Sequence, residues 1–184
     1  MISDNQGVKI DELAAAHRLV VAHDLRFPDA GPGDQVSRVF AEIGKLADAV
    51  LTIEQGAPFP MARPGWMLAE AFFSVIRATG CIAHHCQLAL RLPNTQGYLR
   101  SSNAYVLLGL LTQAGGALAQ TVNDQPAGTD TRTASGPAST ALGRSVDLVI
   151  VRTLVLAEHY GLRHELREVI QHTYRAHQHD GFLP

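Results

Sequence analysis

Apolar residues recur at intervals of three and four along most of the chain, which is the spacing of an amphipathic α-helix. The clearest case is a segment with apolar residues at Val36, Val39, Phe40, Ile43, Leu46, Ala47 and Val50. No segment shows the sustained alternation of apolar and polar residues that a half-buried strand would show. The pattern therefore predicts an all-α protein.

Glycine, proline and capping residues divide this pattern into six predicted helices. We predict them over residues 8–24, 34–55, 66–92, 101–124, 139–160 and 162–177. Asp34 is the expected N-cap of the second helix, and Ser101 or Ser102 that of the fourth. Gly56 and Gly161 are the expected residues just beyond the second and fifth helices, where glycine relieves the left-handed backbone of a helix end.

The chain is expected to form a single all-α domain over residues 1–184. Residues 125–138 are polar and of low complexity, which predicts a mobile surface loop. A weak internal echo relates 34–92 to 101–177, although only Gly44 and Gly115 coincide in the aligned motif. If the echo is a true repeat, the fold is a four-helix core with pseudo-twofold symmetry and two flanking helices. The alternative is that two hairpins rich in Ala and Leu resemble each other by composition.

Composition narrows the class of protein. The 184 residues include 25 alanines and 22 leucines, and charged residues make up 17%, against roughly 25% in an average soluble domain. With 46% hydrophobic residues the chain is too apolar for a disordered protein. Fifteen basic residues against 17 acidic ones give a net charge of −2, so we expect no nucleic-acid partner.

The same composition bears on the cellular compartment. Two cysteines, Cys81 and Cys86, are too few for a disulfide framework. The first residues do not read as a secretory signal. The run 148–157 is about half the length needed to cross a bilayer and contains Arg152. We therefore expect a cytoplasmic protein with reduced thiols and no membrane partner.

Residues 38–50 read Arg-Val-Phe-Ala-Glu-Ile-Gly-Lys-Leu-Ala-Asp-Ala-Val, and residues 66–76 and 144–151 each carry an acidic residue before an apolar run. These segments resemble motifs of the MazG-like family, the all-α nucleoside triphosphate pyrophosphohydrolases. Residues 38–50 resemble the first motif, a Glu-x-x-Glu within a phrase like Glu-Glu-x-Gly-Glu-Leu-Ala. The second motif, Glu-x-x-Asp before an apolar run, is resembled by 66–76 and by 144–151. The phrase Leu-Ala-Glu-His-Tyr-Gly-Leu at 156–162 is similar to the one that closes the family's motif. The resemblance covers about residues 34–176.

The resemblance implies a helical bundle that hydrolyses a nucleoside triphosphate to a monophosphate and pyrophosphate. Residues three apart project from one helix face, so two such helices can surround Mg²⁺ with four carboxylates. Carried onto this sequence, the metal ligands are Glu42 and Glu70. The expected catalytic acids are Glu42, Glu70 and Asp147. Arg77 and Arg152 each interrupt an apolar helix and could reach a phosphate or carboxylate, so with Lys45 they are the expected substrate-binding residues. An arginine that interrupts an apolar helix, such as Arg77 or Arg152, can instead mark the polar stripe of that helix.

Several ligand positions depart from the family pattern. Lys45 replaces the second Glu, Met67 replaces the third, and Glu70 occupies the Asp position. In the echo, the four positions carry Gln113, Gly116, Arg144 and Asp147. Lys45 and Arg144 place positive charge where a cation would sit, which opposes metal binding. The sequence therefore predicts an eroded or repurposed Mg²⁺ site that takes a nucleotide or another small molecule.

Two further functions remain open. The chain is alternatively a non-catalytic helical bundle that dimerises or binds a partner, for which we expect a homodimer. It is otherwise a metal-independent enzyme that uses the same cavity for another small molecule. Cys81, His84, His85 and Cys86 do not share one helix face, so they do not predict a zinc site.

Overall fold

The computed structural model describes residues 11–26, 30–56, 64–98, 100–124 and 137–183, although the side chains of 64 and 137–139 are not described. These residues form six helices and no strand, which confirms the all-α prediction. The helices are α1 (Glu12–Asp24), α2 (Pro32–Glu54), α3 (Pro64–His85), α4 (Ala104–Asn123), α5 (Pro137–His159) and α6 (Arg163–His179).

Four of the helices make the centre of the bundle. α2 packs on α3 and α4 packs on α5, while α3 also contacts α5 and α2 contacts α4. α1 and α6 pack on α3 and on each other, and α6 touches α5. This order pairs the same hairpins as the proposed echo, but a symmetry relation between them stays a prediction.

One apolar core runs through the bundle. Its largest fully buried side chains come from five helices and include Leu19, Leu46, Phe72, Leu111 and Leu154. Burying helix faces of this kind contributes roughly 25 cal/mol per Å² of apolar area. The core therefore fixes which face of each helix points outward, and thereby where polar side chains can gather.

Two of the predicted N-cap residues are wrong, those of α2 and α4. Gly31, not Asp34, is the N-cap of α2, and the Asp34 carboxylate accepts a hydrogen bond from the Gly31 amide at 3.1 Å. Pro32 can occupy the first turn because its missing N–H needs no partner there. Asn103, not either serine, caps α4: its side chain accepts from the Tyr105 amide at 2.9 Å.

The end of α3 differs most from the prediction. The helix was expected to reach residue 92, but it ends at His85. Gln87 adopts a left-handed backbone with φ of 55°, and the Leu88 amide donates to the Ala83 carbonyl at 2.7 Å. This is the hydrogen-bond pattern of a helix end that usually carries glycine. Residues 86–98 and 100–103 are consequently irregular and connect the end of α3 to the start of α4.

The other helix ends agree more closely with the sequence. Gly56 and Gly161 both have positive φ, at 64° and 69°, as predicted for residues beyond α2 and α5. α5 begins at Pro137, so two residues of the predicted loop 125–138 are helical, and 125–136 lie outside the described residues. Predicted helical residues 8–10 lie outside the described residues as well.

Two helices, Gly65–His85 and Ala104–Asn123, are long and apolar enough to span a membrane by length and composition alone. Within the apolar window of the first, 67% of the residues are buried inside the bundle, as in the core helix of a soluble protein. In the second the share is 33%. The run 148–157 lies in α5, where Arg144, Asp147 and Arg152 keep the average hydropathy lower. The fold is compatible with a soluble protein.

Candidate functional site

A cleft of about 250 Å³ lies between α1, α2 and α3. The described residues that line it come from all three helices: His23, Arg38, Glu42, Ser74, Arg77 and Ala78. Helical spacing accounts for this grouping, because residues three or four apart share one helix face. Arg38 and Glu42 are four apart on α2, and Ser74 precedes Arg77 by three on α3.

α1 is fixed against the other two helices beside this cleft. Asp24 lies 2.8 Å from Nδ1 of His84 on α3, and its other oxygen accepts from Nε2 of Gln35 on α2 at 3.0 Å. Gln35 is fully buried, so the hydrogen bond to Asp24 is shielded from water. One carboxylate thus joins three helices and holds the neighbouring His23 at the cleft.

The cleft carries more positive than negative charge. Arg38 and Arg77 approach it from two helices, whereas Glu42 is the one carboxylate among the described lining residues. Glu42 is moreover bound to Lys45, whose Nζ lies 2.8 Å from its Oε1. An excess of guanidinium groups in a partly enclosed space attracts an anion.

The protonation state of His23 follows from this charge. Burial, followed by the charges of Arg77, Arg38 and Arg26, lowers the pKa of His23 from 6.5 to about 4, although Asp24 acts in the opposite direction. At neutral pH the imidazole is therefore uncharged, with one ring nitrogen as donor and the other as acceptor.

Burial also shifts the pKa of two further groups near the cleft, Arg77 and Cys81. Burial lowers the pKa of Arg77, with Cys81 and Glu42 acting in the opposite direction, but a guanidinium remains charged. Burial raises the pKa of Cys81 to about 12. The thiol is therefore protonated and does not have the character of a nucleophile.

Three of the six residues singled out in the sequence lie at or beside this cleft. Glu42 and Arg77 line it. Lys45 lies at its edge, 69% exposed and paired with Glu42. Their roles in binding or catalysis stay predictions.

Glu70 is not among the described lining residues. Its carboxylate accepts a hydrogen bond from the indole N–H of Trp66 at 2.8 Å. It lies on the same face of α3 as Arg77, but seven residues of helix separate them by about 10 Å. The structure therefore pairs Glu70 with Trp66 on its own helix and does not place it in the lining that contains Glu42.

Asp147 and Arg152 lie on α5, a helix whose described residues contact α3, α4 and α6 but neither α1 nor α2. Burial raises the pKa of Asp147, and Arg91 partly offsets this. The guanidinium of Arg152 lies 5.6 Å from the ring centroid of Tyr98. These two residues therefore belong to another part of the surface than Glu42 and Arg77.

The oxygen donors of the cleft do not fit Mg²⁺. A magnesium ion prefers several carboxylate or water oxygens in octahedral geometry. Here Glu42 and the Ser74 hydroxyl share the cleft with two arginines, whose charge opposes a cation. Nowhere in the described part of the chain do three or more His, Cys, Asp or Glu residues form a group suited to a metal ion.

Sequence reasoning did not single out three of the lining residues, His23, Arg38 and Ser74. Arg38 does lie in the segment that resembles the family's first motif, four residues before Glu42. His23 and Ser74 join the cleft only through the packing of α1 on α3, which helical periodicity within one segment does not reveal.

Comparison of the chain with protein-family models, with curated proteins and with solved structures finds no match.

Proposed function

We propose that the chain binds a small phosphate-bearing anion in the cleft between α1, α2 and α3, in a MazG-like bundle whose metal site is repurposed. The observation that carries this proposal is the pair Arg38 and Arg77, which approach one cleft from two helices with a single carboxylate between them. Planar guanidinium groups suit phosphate because they donate two parallel hydrogen bonds.

The size of the cleft supports a small ligand or the phosphate end of a nucleotide. Pockets for drug-sized molecules span roughly 300–1,000 Å³, whereas this one is about 250 Å³. Ser74 adds a hydroxyl donor to the guanidinium groups of Arg38 and Arg77. Binding needs no divalent cation, because the arginines supply the positive charge.

Titration calorimetry with inorganic phosphate and with a nucleoside monophosphate, both without Mg²⁺, tests the binding. We expect the wild-type chain to bind and Arg77→Gln to bind about tenfold or more weakly, since a hydrogen bond to a charged group contributes roughly 1.5–3 kcal/mol. Arg175→Gln makes the same change at an exposed position of α6 and should bind as the wild type does. Equal affinity of Arg77→Gln and the wild type would overturn the proposal.

A second experiment separates binding from hydrolysis. Nucleoside triphosphates are incubated with the chain, with and without Mg²⁺ or Mn²⁺, and pyrophosphate is measured against Glu42→Ala. We expect no release above that control, because the donor set opposes a cation. Metal-dependent release that Glu42→Ala abolishes would instead establish a pyrophosphohydrolase.

Self-association is a second candidate function, and α4 is the observation that favours it. Its 20 residues include no charged side chain, and Tyr105 and Val106 are 46% and 45% exposed. A Cβ on Gly109 or Gly116 would meet nothing within 4 Å, so another backbone has room to approach. An uncharged face is complementary to a copy of itself, which favours a symmetric homodimer.

Light scattering tests this second candidate. The wild type is expected to have the mass of a dimer, and Val106→Glu that of a monomer, because the substitution buries a charge at the shared face. Gln178→Glu adds the same charge at an exposed position of α6 and should leave the mass unchanged. A monomeric wild type would remove the candidate.

A cytoplasmic location belongs to the same proposal. Cys81 and Cys86 are buried thiols that do not form a disulfide, which suits a reducing compartment. Fractionation of the producing cells with an antibody against the chain tests it, and recovery with the extracellular or membrane fraction would contradict it.

A further inference from the structure

A second cavity lies between the connection that precedes α4 and the end of α5. It measures about 170 Å³, and its described lining residues are Arg100, Ser101, Leu107, Val155, Glu158 and His159. Since the described residues of α5 contact neither α1 nor α2, this cavity is separate from the cleft described above.

Glu158 is already engaged by residues around the cavity. The Thr95 hydroxyl lies 2.7 and 2.9 Å from its two carboxylate oxygens. Nη2 of Arg100 lies 3.3 Å from Oε2, and Nε of Arg163 lies 3.7 Å from Oε1. One carboxylate thus faces two guanidinium groups, which leaves a net positive charge beside the cavity.

Guanidinium donors near this cavity lack acceptors among the described residues. Nη1 of Arg163 is buried without a hydrogen-bond partner, and so is Nη1 of Arg152. Arg152 lies one helical turn before Val155 on the same face of α5, although it is not itself a lining residue. A buried donor without an acceptor is costly. Because neither arginine lines the cavity, each adds positive charge to its surroundings rather than a contact to its occupant.

The walls of the cavity differ from those of the first cleft. Leu107 and Val155 are buried apolar side chains, and both line it. The Ser101 hydroxyl and Arg100 lie on its polar side. A ligand that fits both sides has a single anionic group and a short apolar chain.

We propose that this cavity is a second ligand site, which binds a small organic monocarboxylate. The carboxylate contacts Arg100 and Ser101, and the short alkyl chain lies against Leu107 and Val155. The site does not depend on the phosphate proposal, because the two cavities share no lining residue.

Titration calorimetry with sodium butyrate tests this site, with Arg100→Gln and Arg163→Gln as the variants. We expect wild-type binding at millimolar concentration or tighter, a loss of about tenfold in Arg100→Gln, and a smaller loss in Arg163→Gln, which removes a nearby positive charge but no contact. Arg175→Gln and Arg77→Gln should both bind butyrate as the wild type does, and the second should lose only phosphate.

Amide chemical shifts locate the ligand and cover the case in which the variants unfold. Butyrate should shift the wild-type amides of Arg100, Ser101 and His159, and phosphate should leave them in place. Absence of butyrate binding, shifts confined to other residues, or displacement of butyrate by equimolar phosphate would each overturn the proposal.

Discussion

His23 shows how one residue combines burial with surrounding charge. Burial and three arginines lower its pKa to about 4, while Asp24 acts in the opposite direction. The protonation state of His23 therefore depends on how three helices pack together. The sequence places His23 three residues before Arg26, which does not by itself indicate a shifted pKa. The fold adds burial and the charges of Arg38 and Arg77, and together these keep the imidazole uncharged at neutral pH.

Acid should destabilise the fold through His23. Because the pKa is about 4 in the folded chain and 6.5 in the unfolded one, the unfolded chain binds more protons between these values. The stability from neutral His23 is complete above pH 6.5 and is lost as the pH falls towards 4. Urea unfolding of the wild type and His23→Gln at pH 7 and pH 5 checks this.

The variant should show a smaller loss of stability between the two pH values. His164→Gln, at an exposed position of α6, serves as the control and should follow the wild type. An identical pH dependence in all three proteins would contradict the expected role of His23.

Asp147 has the opposite pH dependence. Burial raises its pKa, so the ionised carboxylate at neutral pH destabilises the folded chain, and Arg91 offsets only part of this. Asp147→Asn should raise the Tm at pH 7, by up to about 2 °C because solvent screens a partly exposed group. The gain should shrink as the pH falls through the raised pKa. A lower Tm for Asp147→Asn would show that the carboxylate is stabilising.

The helix ends show which elements could be predicted from sequence. Gly56 and Gly161 indicate the ends of α2 and α5 in the sequence, since glycine tolerates positive φ. The end of α3 has the same geometry at Gln87, a residue type that gives no such signal. Helical periodicity predicted the helices and their apolar faces. It could not predict that His23 lies near Arg77, because their proximity depends on how α1 packs on α3.

Replacing Gln87 should change stability according to the backbone preference of the new residue. A non-glycine residue in the left-handed region costs about 1–2 kcal/mol, and glycine's greater freedom in the unfolded chain recovers part of that. Gln87→Gly should therefore stabilise the fold by about 0.5–1 kcal/mol. Gln87→Val should destabilise it. Chemical denaturation measures both, and destabilisation by Gln87→Gly would argue against strain at this position.

At the scale of the whole molecule, α1 packs on the bundle through a contact that needs glycine. A Cβ on Gly80 of α3 would lie 2.7 Å from Cγ2 of Val20 on α1 and 3.3 Å from Cδ1 of Leu90. Val20 is buried and β-branched, so it has little freedom to move away. The position of α1, and with it one wall of the cleft, depends on this close approach.

Gly80→Ala should destabilise the fold by about 1–3 kcal/mol, because it overpacks the α1–α3 contact. Gly44→Ala is the matched control on α2, where a Cβ would meet nothing within 4 Å. It should stabilise the fold by up to about 1 kcal/mol through helix propensity. If Gly80→Ala were as stable as the wild type, the close approach of α1 would not limit the packing.

The Asp24 carboxylate has a consequence for motion. It joins α1 to both α2 and α3. At its first residue α1 is joined to α6 by the ion pair of Glu12 with Arg167 at 3.2 Å. Midway along α1, Arg18 donates a hydrogen bond to the Tyr174 hydroxyl of α6 at 3.0 Å. Local opening of α1 has to release these bonds together and would dismantle the cleft. An anion bound in the cleft should therefore slow amide hydrogen exchange along α1, because α1 must stay packed for the anion to remain bound.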